Sequence, residues 1–164
     1  MNYLEYTKLI EKQISLLTQK RQLQLALKIC KELFFEYHTF SKRYHFGDPD
    51  LLLDGITLCE KSLTGSVVSS EIKELIPRID SMIPDMDDYD SSELASYALN
   101  ASASVCETLE FILDNDYVHI ENVATYYTDT IDFKVQEGKA LTSEEIDRHP
   151  LMIQAREFLL RETK

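Results

Sequence analysis

Glycine, proline and tryptophan are scarce in this sequence, and the motifs that depend on glycine are missing. The 164 residues include four Gly, four Pro and no Trp. There is no P-loop, no dinucleotide-binding glycine pattern and no G-x-S-x-G, the patterns that bind phosphates or present a nucleophilic serine. No apolar run approaches the roughly 18 residues that a membrane span needs. These absences argue against nucleotide binding, serine-hydrolase chemistry and association with a membrane.

Metal-binding patterns are also missing. Cys30, Cys59 and Cys106 are far apart and show no C-x-x-C spacing, so we expect buried free thiols in a reducing compartment. There is no H-E-x-x-H and no Glu-x-x-His; Asp116 and His119 form the closest approach to the latter. The four histidines are interpreted as surface or capping residues. We therefore expect no cofactor and no resident metal.

Basic residues are absent from a long segment of the chain. Residues 79–133 contain thirteen Asp or Glu and no Lys or Arg, whereas residues 1–45 contain eight Lys or Arg and four acids; the net charge is −12. Because phosphate binding needs a basic surface, the acidic region is not expected to bind nucleic acid. Two explanations stay open. The basic helices neutralise the acidic ones within the bundle or across a homodimer, or an exposed acidic face attracts a basic partner.

The apolar residues follow a helical period along the whole chain. Ala26, Cys30, Leu33, Tyr37, Phe40 and Tyr44, for example, recur at spacings of 4-3-4-3-4. This pattern predicts an all-α, single-domain bundle of about seven helices over residues 1–164. The helices are expected at about residues 3–17, 19–45, 49–65, 70–83, 91–114, 116–138 and 150–161.

Local signals predict where several helices begin and end. Gly47 suits the end of the second helix, and Asp48-Pro49 the start of the third. Ser69 or Ser70 should cap the fourth helix, and Pro77 should kink it or divide it in two. Asp116 should cap the sixth, and the spacing of Thr142 and Glu145 predicts a capping box that opens a short turn.

The helix at about 91–114 is apolar around most of its circumference, which is typical of a central helix buried by several neighbours. Asp90 and Glu93 have the spacing of a capping box at its start. Its polar positions are expected to form one narrow line: Ser96, Asn100, Glu107, Glu110 and Asp114.

An acidic turn precedes this helix, with carboxylates at Asp85, Asp87, Asp88 and Asp90. It does not match an EF-hand loop, because Asp90 stands where Gly is needed and Ser96 replaces the bidentate Glu. The remaining interpretations are a looser divalent-cation site and a simple capping role, since acids favour the positive end of a helix.

Several segments resemble the YjaG-like proteins, a bacterial family of unknown function. They are Cys30-Lys31-Glu32-Leu33 with Tyr37, Phe40 and Phe46-Gly47-Asp48, then Ile83-Pro84 with Asp87-Asp88-Tyr89-Asp90, and finally His149-Pro150-Leu151. The resemblance spans about residues 20–160 and departs from the family at Pro77 and in a short C-terminus. It implies an all-α fold and a bacterial source, and it carries over no catalytic residue.

We therefore expect a non-enzymatic helical interaction module that binds a basic protein through its acidic side, Asp80 to Asp132, with an antitoxin-like or immunity-type binder as one sub-case. The candidate interaction residues are Asp85, Asp87, Asp88, Asp90, Glu107 and Glu110. One alternative is an enzyme, or a small-molecule or metal binder, with a pocket near residues 85–90. Another is a homodimer that pairs the basic helix 20–45 with the acidic region 79–133. The N-terminus has no signal-peptide layout, so a cytoplasmic location is expected.

Overall fold

The computed structural model describes residues 1–65, 67–89 and 93–164, and in these segments it contains eight α-helices and no β-strand. The prediction of an all-α fold is confirmed. The eighth helix is the short turn expected after Thr142, which forms five helical residues behind its capping box. The helices are α1 (Tyr3–Leu16), α2 (Gln19–Tyr44), α3 (Pro49–Ser62), α4 (Ser69–Asp80), α5 (Glu93–Asp114), α6 (Val118–Gln136), α7 (Ser143–Asp147) and α8 (Pro150–Glu162).

Helix α5 is the centre of the bundle, as its composition predicts. It packs against α2, α3, α4 and α6, and Ala98, Val105 and Leu109 on it are almost fully buried. The proposed capping partner of Glu93, Asp90, lies outside the residues described.

Small and hydroxylated residues let the neighbouring helices approach α5 closely. Ser102, Ser104 and Thr108 are fully buried, and each hydroxyl donates to the carbonyl four residues earlier at 2.7–2.8 Å. These three buried hydroxyls are therefore paired, and leaving them without a partner would be costly. On α3, a Cβ at Gly55 would lie 2.8 Å from Val105 Cγ1.

The junction between α2 and α3 follows the predicted signals. His45 and Gly47 both adopt positive φ, 51° and 72°, and the Asp48 carboxylate accepts the N–H groups of Asp50 and Leu51. Gly47 also packs against Tyr37, since a Cβ there would lie 1.9 Å from the phenolic oxygen. That hydroxyl donates to the Met82 carbonyl at 2.8 Å and ties α2 to the segment after α4.

Helix α4 differs from the prediction at its N-terminus, and it is not divided at Pro77. Of the two outcomes expected there, a kink or two helices, the second is excluded, because the chain runs through Pro77 as one helix. Only the carbonyl of Lys73 loses its usual donor, and Lys73 is exposed. Its N-cap is Val68, which makes no side-chain capping bond, and Ser69 and Ser70 already lie inside the helix.

All three cysteines are free thiols, and Cys30 and Cys59 are buried as expected, whereas Cys106 is half-buried. Burial raises the pKa of Cys30 to about 12. Across the described segments, no helix combines the length and apolarity needed to cross a bilayer.

Candidate functional site

The acidic turn before α5 is held by aromatic packing, with its carboxylates directed to solvent. Asp85, Asp87 and Asp88 are exposed, and the Asp85 carboxylate accepts the N–H of Asp87 at 2.9 Å. Tyr89 anchors the turn, since its ring centroid lies 5.0 Å from that of Phe40. Within the part of the chain that the structure describes, no group of three or more His, Cys, Asp or Glu could hold a metal ion.

The other two candidate residues belong to a separate surface. Glu107 and Glu110 lie on the outer side of α5 and are half-buried. Glu107 is fourteen residues beyond Glu93, or about 21 Å along the helix axis at 1.5 Å per residue. The structure therefore brings Glu107 and Glu110 together but leaves the acidic turn at the opposite end of the helix. Asp90, the sixth candidate, lies outside the described residues.

Asp80 at the end of α4 joins this second surface. Burial raises the pKa of the half-buried Cys106 thiol to about 12, and three neighbouring carboxylates add to the effect. These are Asp80, Glu110 and Glu107, whose charges all act on this thiol, and α4, which carries Asp80, packs against α5. Asp114 lies one turn beyond Glu110 on the same side of the helix. We refer to Asp80, Glu107, Glu110 and Asp114 as the acidic face.

A histidine connects two members of the acidic face. His119, at the start of α6, places Nδ1 2.5 Å from Glu107 Oε2 and Nε2 3.0 Å from Asp114 Oδ2. Partial burial lowers the pKa of His119, but hydrogen bonds and charge from the two carboxylates outweigh it, so the pKa is raised. The Asp116 N–H, which bonds the Asp114 carboxylate at 2.8 Å, and the His119 ring together lower the pKa of Asp114. The ring thus acts as a bridge that holds the start of α6 to α5.

The sequence contains little that could predict this bridge. His119 was interpreted as a surface or capping residue, and its partner Glu107 lies twelve positions away across the α5–α6 junction. The chain reverses there through Asn115, whose φ is 57°. Asp116 is not the N-cap that the sequence predicts for α6: that position is Tyr117, which makes no side-chain capping bond. The Asp116 carboxylate nevertheless accepts the N–H of Val118, the first helical residue, at 3.0 Å.

One residue of the predicted polar line is not on the surface. Asn100 is buried, and its amide donates to Thr130 Oγ1 on α6 at 3.0 Å. Asn100 is therefore a link between two packed helices.

Within the described segments, no lysine or arginine forms an ion pair with the acidic region inside the bundle. Among the residues described, no Lys or Arg nitrogen lies within 4.0 Å of a carboxylate oxygen in residues 79–133. The basic side chains of α2 pair elsewhere: Lys28 contacts Glu162 on α8, and Lys31 contacts Glu60 on α3. Thus α2 packs against α5, but its Lys28 and Lys31 side chains form ion pairs with α8 and α3 instead.

Comparisons with known proteins identify a family. The family model described as "Protein of unknown function (DUF416)" matches residues 9–162. The fold is similar to the crystal structure of a DUF416 family protein from Shewanella baltica OS155, with a TM-score of 0.82 and 20% sequence identity over 93% of this chain and 81% of that one. No curated protein matches the sequence. The chain belongs to the DUF416 family of proteins of unknown function.

Proposed function

We propose that the protein is a non-enzymatic helical interaction module that binds a basic protein through the acidic face. The observation that carries the proposal is that, among the residues described, no Lys or Arg nitrogen lies within 4.0 Å of the carboxylates of the acidic face. In the same part of the chain, His119 is the one basic side chain paired with them, through Glu107 and Asp114. Lys or Arg side chains of a partner would complete the missing ion pairs.

The rigidity of this surface supports the proposal. Glu107 and Glu110 project from the central helix, and Glu107 and Asp114 are held by the His119 ring at 2.5 and 3.0 Å. Carboxylates fixed in this way lose less conformational freedom on binding than those of a flexible loop.

The proposal includes a cytoplasmic location in a bacterium, and an antitoxin-like or immunity-type role is one form of it. The narrower assignment to the YjaG-like proteins stays a prediction from sequence. The homodimer also stays a prediction, and its mark would be twice the chain mass in light scattering, lost at high salt. A pocket near residues 85–90 stays a prediction as well.

The test compares two variants that carry the same change in charge. Asp80→Asn with Glu110→Gln removes two charges from the acidic face without touching the His119 bridge. Asp54→Asn with Glu157→Gln removes two exposed charges elsewhere. Each protein is used to capture partners from a bacterial lysate at low and at high salt.

We expect a Lys- or Arg-rich protein to be retained by the wild type and by the control variant. It should be lost from the acidic-face variant, and from the wild type at high salt. Equal capture by both variants would show that this face does not bind the partner. A third variant, Asp87→Asn with Asp88→Asn, tests whether the acidic turn binds instead.

A further inference from the structure

A cleft of about 240 Å³ lies on the other side of α6, among the start of α1, α7 and α8. Its walls include Asp129 and Asp132 from α6, Asp147 from α7 and Arg156 from α8. The volume is below the roughly 300–1,000 Å³ of pockets for drug-sized ligands, so an occupant would be small. The cleft is distinct from the acidic face.

Arg156 is buried in this cleft with most of its donors unused. The residue is only 9% exposed, and its guanidinium carbon lies 5.0 Å from the centre of the Tyr6 ring. Nη2 donates to Asp147 Oδ1 at 2.5 Å, and Nε has no partner. No other hydrogen bond from this guanidinium to the described residues is formed. A guanidinium has five N–H donors, and buried polar groups are normally paired. The remaining N–H groups of Arg156 can therefore donate hydrogen bonds to a further anionic group.

The α6 wall of the cleft carries carboxylates that lack a cationic partner among the described residues. Asp129 is half-buried, and burial together with the neighbouring charge of Asp132 raises its pKa. Asp132 accepts one hydrogen bond, from the Gln136 amide at 3.0 Å. Within the described segments, neither carboxylate has a Lys or Arg nitrogen within 4.0 Å. A cationic group between them would relieve both the burial and the repulsion.

These two walls together define the class of ligand. We propose that the cleft binds a small zwitterion of the α-amino-acid type, with its carboxylate at Arg156 and its ammonium group at Asp129 and Asp132. Three carboxylates and one guanidinium line the cleft, so its formal charge is −2 and a phosphate would be repelled. A simple diamine satisfies the aspartates but offers Arg156 no acceptor.

The test uses the full chain and defined probes. The twenty common amino acids, inorganic phosphate and putrescine are each titrated to about 10 mM, a concentration that detects millimolar affinity. Binding is followed by melting temperature and by NMR amide shifts. We expect at least one amino acid to bind saturably and to shift amide signals of α6, α7 and α8.

Two variants test where the ammonium group and the carboxylate of the amino acid bind. Each should weaken binding by about tenfold or more. Asp129→Asn removes the ammonium partner, and Arg156→Lys keeps the charge but loses the planar fork. Asp54→Asn is the matched control and should bind as the wild type does. If Arg156→Lys does not fold, Asp129→Asn still decides the matter.

Three results would overturn the proposal: no amino acid binds, only phosphate or putrescine binds, or Asp129→Asn binds with unchanged affinity. The acidic-face variant Asp80→Asn with Glu110→Gln should bind the amino acid normally. Its failure in partner capture would therefore be separate from the outcome at the cleft.

Discussion

The bridge made by His119 predicts a component of stability that depends on pH. The pKa of His119 is raised in the folded protein, so the folded state binds a proton more tightly than the unfolded chain does. The resulting stabilisation is fully present below the unfolded pKa of about 6.5 and is lost as pH rises through the raised folded value.

The magnitude follows from how exposed the bridge is. His119 and Glu107 side chains are each 22% exposed, whereas Asp114 is 50% exposed. Exposed ion pairs contribute about 0.2–1 kcal/mol each, and the Glu107 contact should lie near the upper end. We therefore expect the bridge to contribute about 1 kcal/mol at acidic pH, or about 2–4 °C in melting temperature for a chain of this size.

The assay compares melting curves at pH 5.5 and pH 8 for the wild type, His119→Gln and His45→Asn. His45 is exposed and has a φ of 51°, a conformation that Asn tolerates, so this control removes an imidazole without removing the bridge. The difference between wild type and His119→Gln should be largest at pH 5.5 and should shrink at pH 8. A difference that is the same at both pH values would refute the reasoning.

Two further predictions concern packing around the central helix. Gly55→Ala should gain about 0.5–1 kcal/mol of helix preference but lose about 1–3 kcal/mol to overpacking, since its Cβ would lie 2.8 Å from Ile79 and Val105. A lower melting temperature is expected, and a higher one would contradict the close approach of α3. Tyr37→Phe should lower the unfolding free energy in urea by about 1 kcal/mol, because the buried hydroxyl donates to the Met82 carbonyl. Unchanged stability would mean that this bond contributes nothing.

The features that the sequence predicted well depend on neighbouring residues. Asp48 and Thr142 cap the helices that follow them, as their spacing to later residues indicates. The prediction that α5 is buried on most sides also uses only neighbouring residues, because apolar side chains cover most of the circumference of this one helix. Periodicity and capping chemistry were therefore sufficient for the fold class.

The features that the sequence did not predict depend on residues that are far apart in the chain. The sequence predicts that the polar side chain of Asn100 is exposed, but in the fold its amide donates to Thr130 on α6. The contact of Glu107 with His119 and the proximity of Asp80 both require the packing of three helices. No spacing rule connects such positions, so the acidic face could be predicted only in part, at Glu107, Glu110 and Asp114 on the polar line of α5.

The central claim is that the acidic face binds a basic partner. Its most direct test is the affinity of the captured protein, measured by calorimetry at two salt concentrations, for wild type, Asp80→Asn with Glu110→Gln, and Asp54→Asn with Glu157→Gln. We predict that the first variant weakens binding by about tenfold or more at low salt, and that the control variant matches the wild type. Equal dissociation constants for the two variants at low salt would contradict the claim.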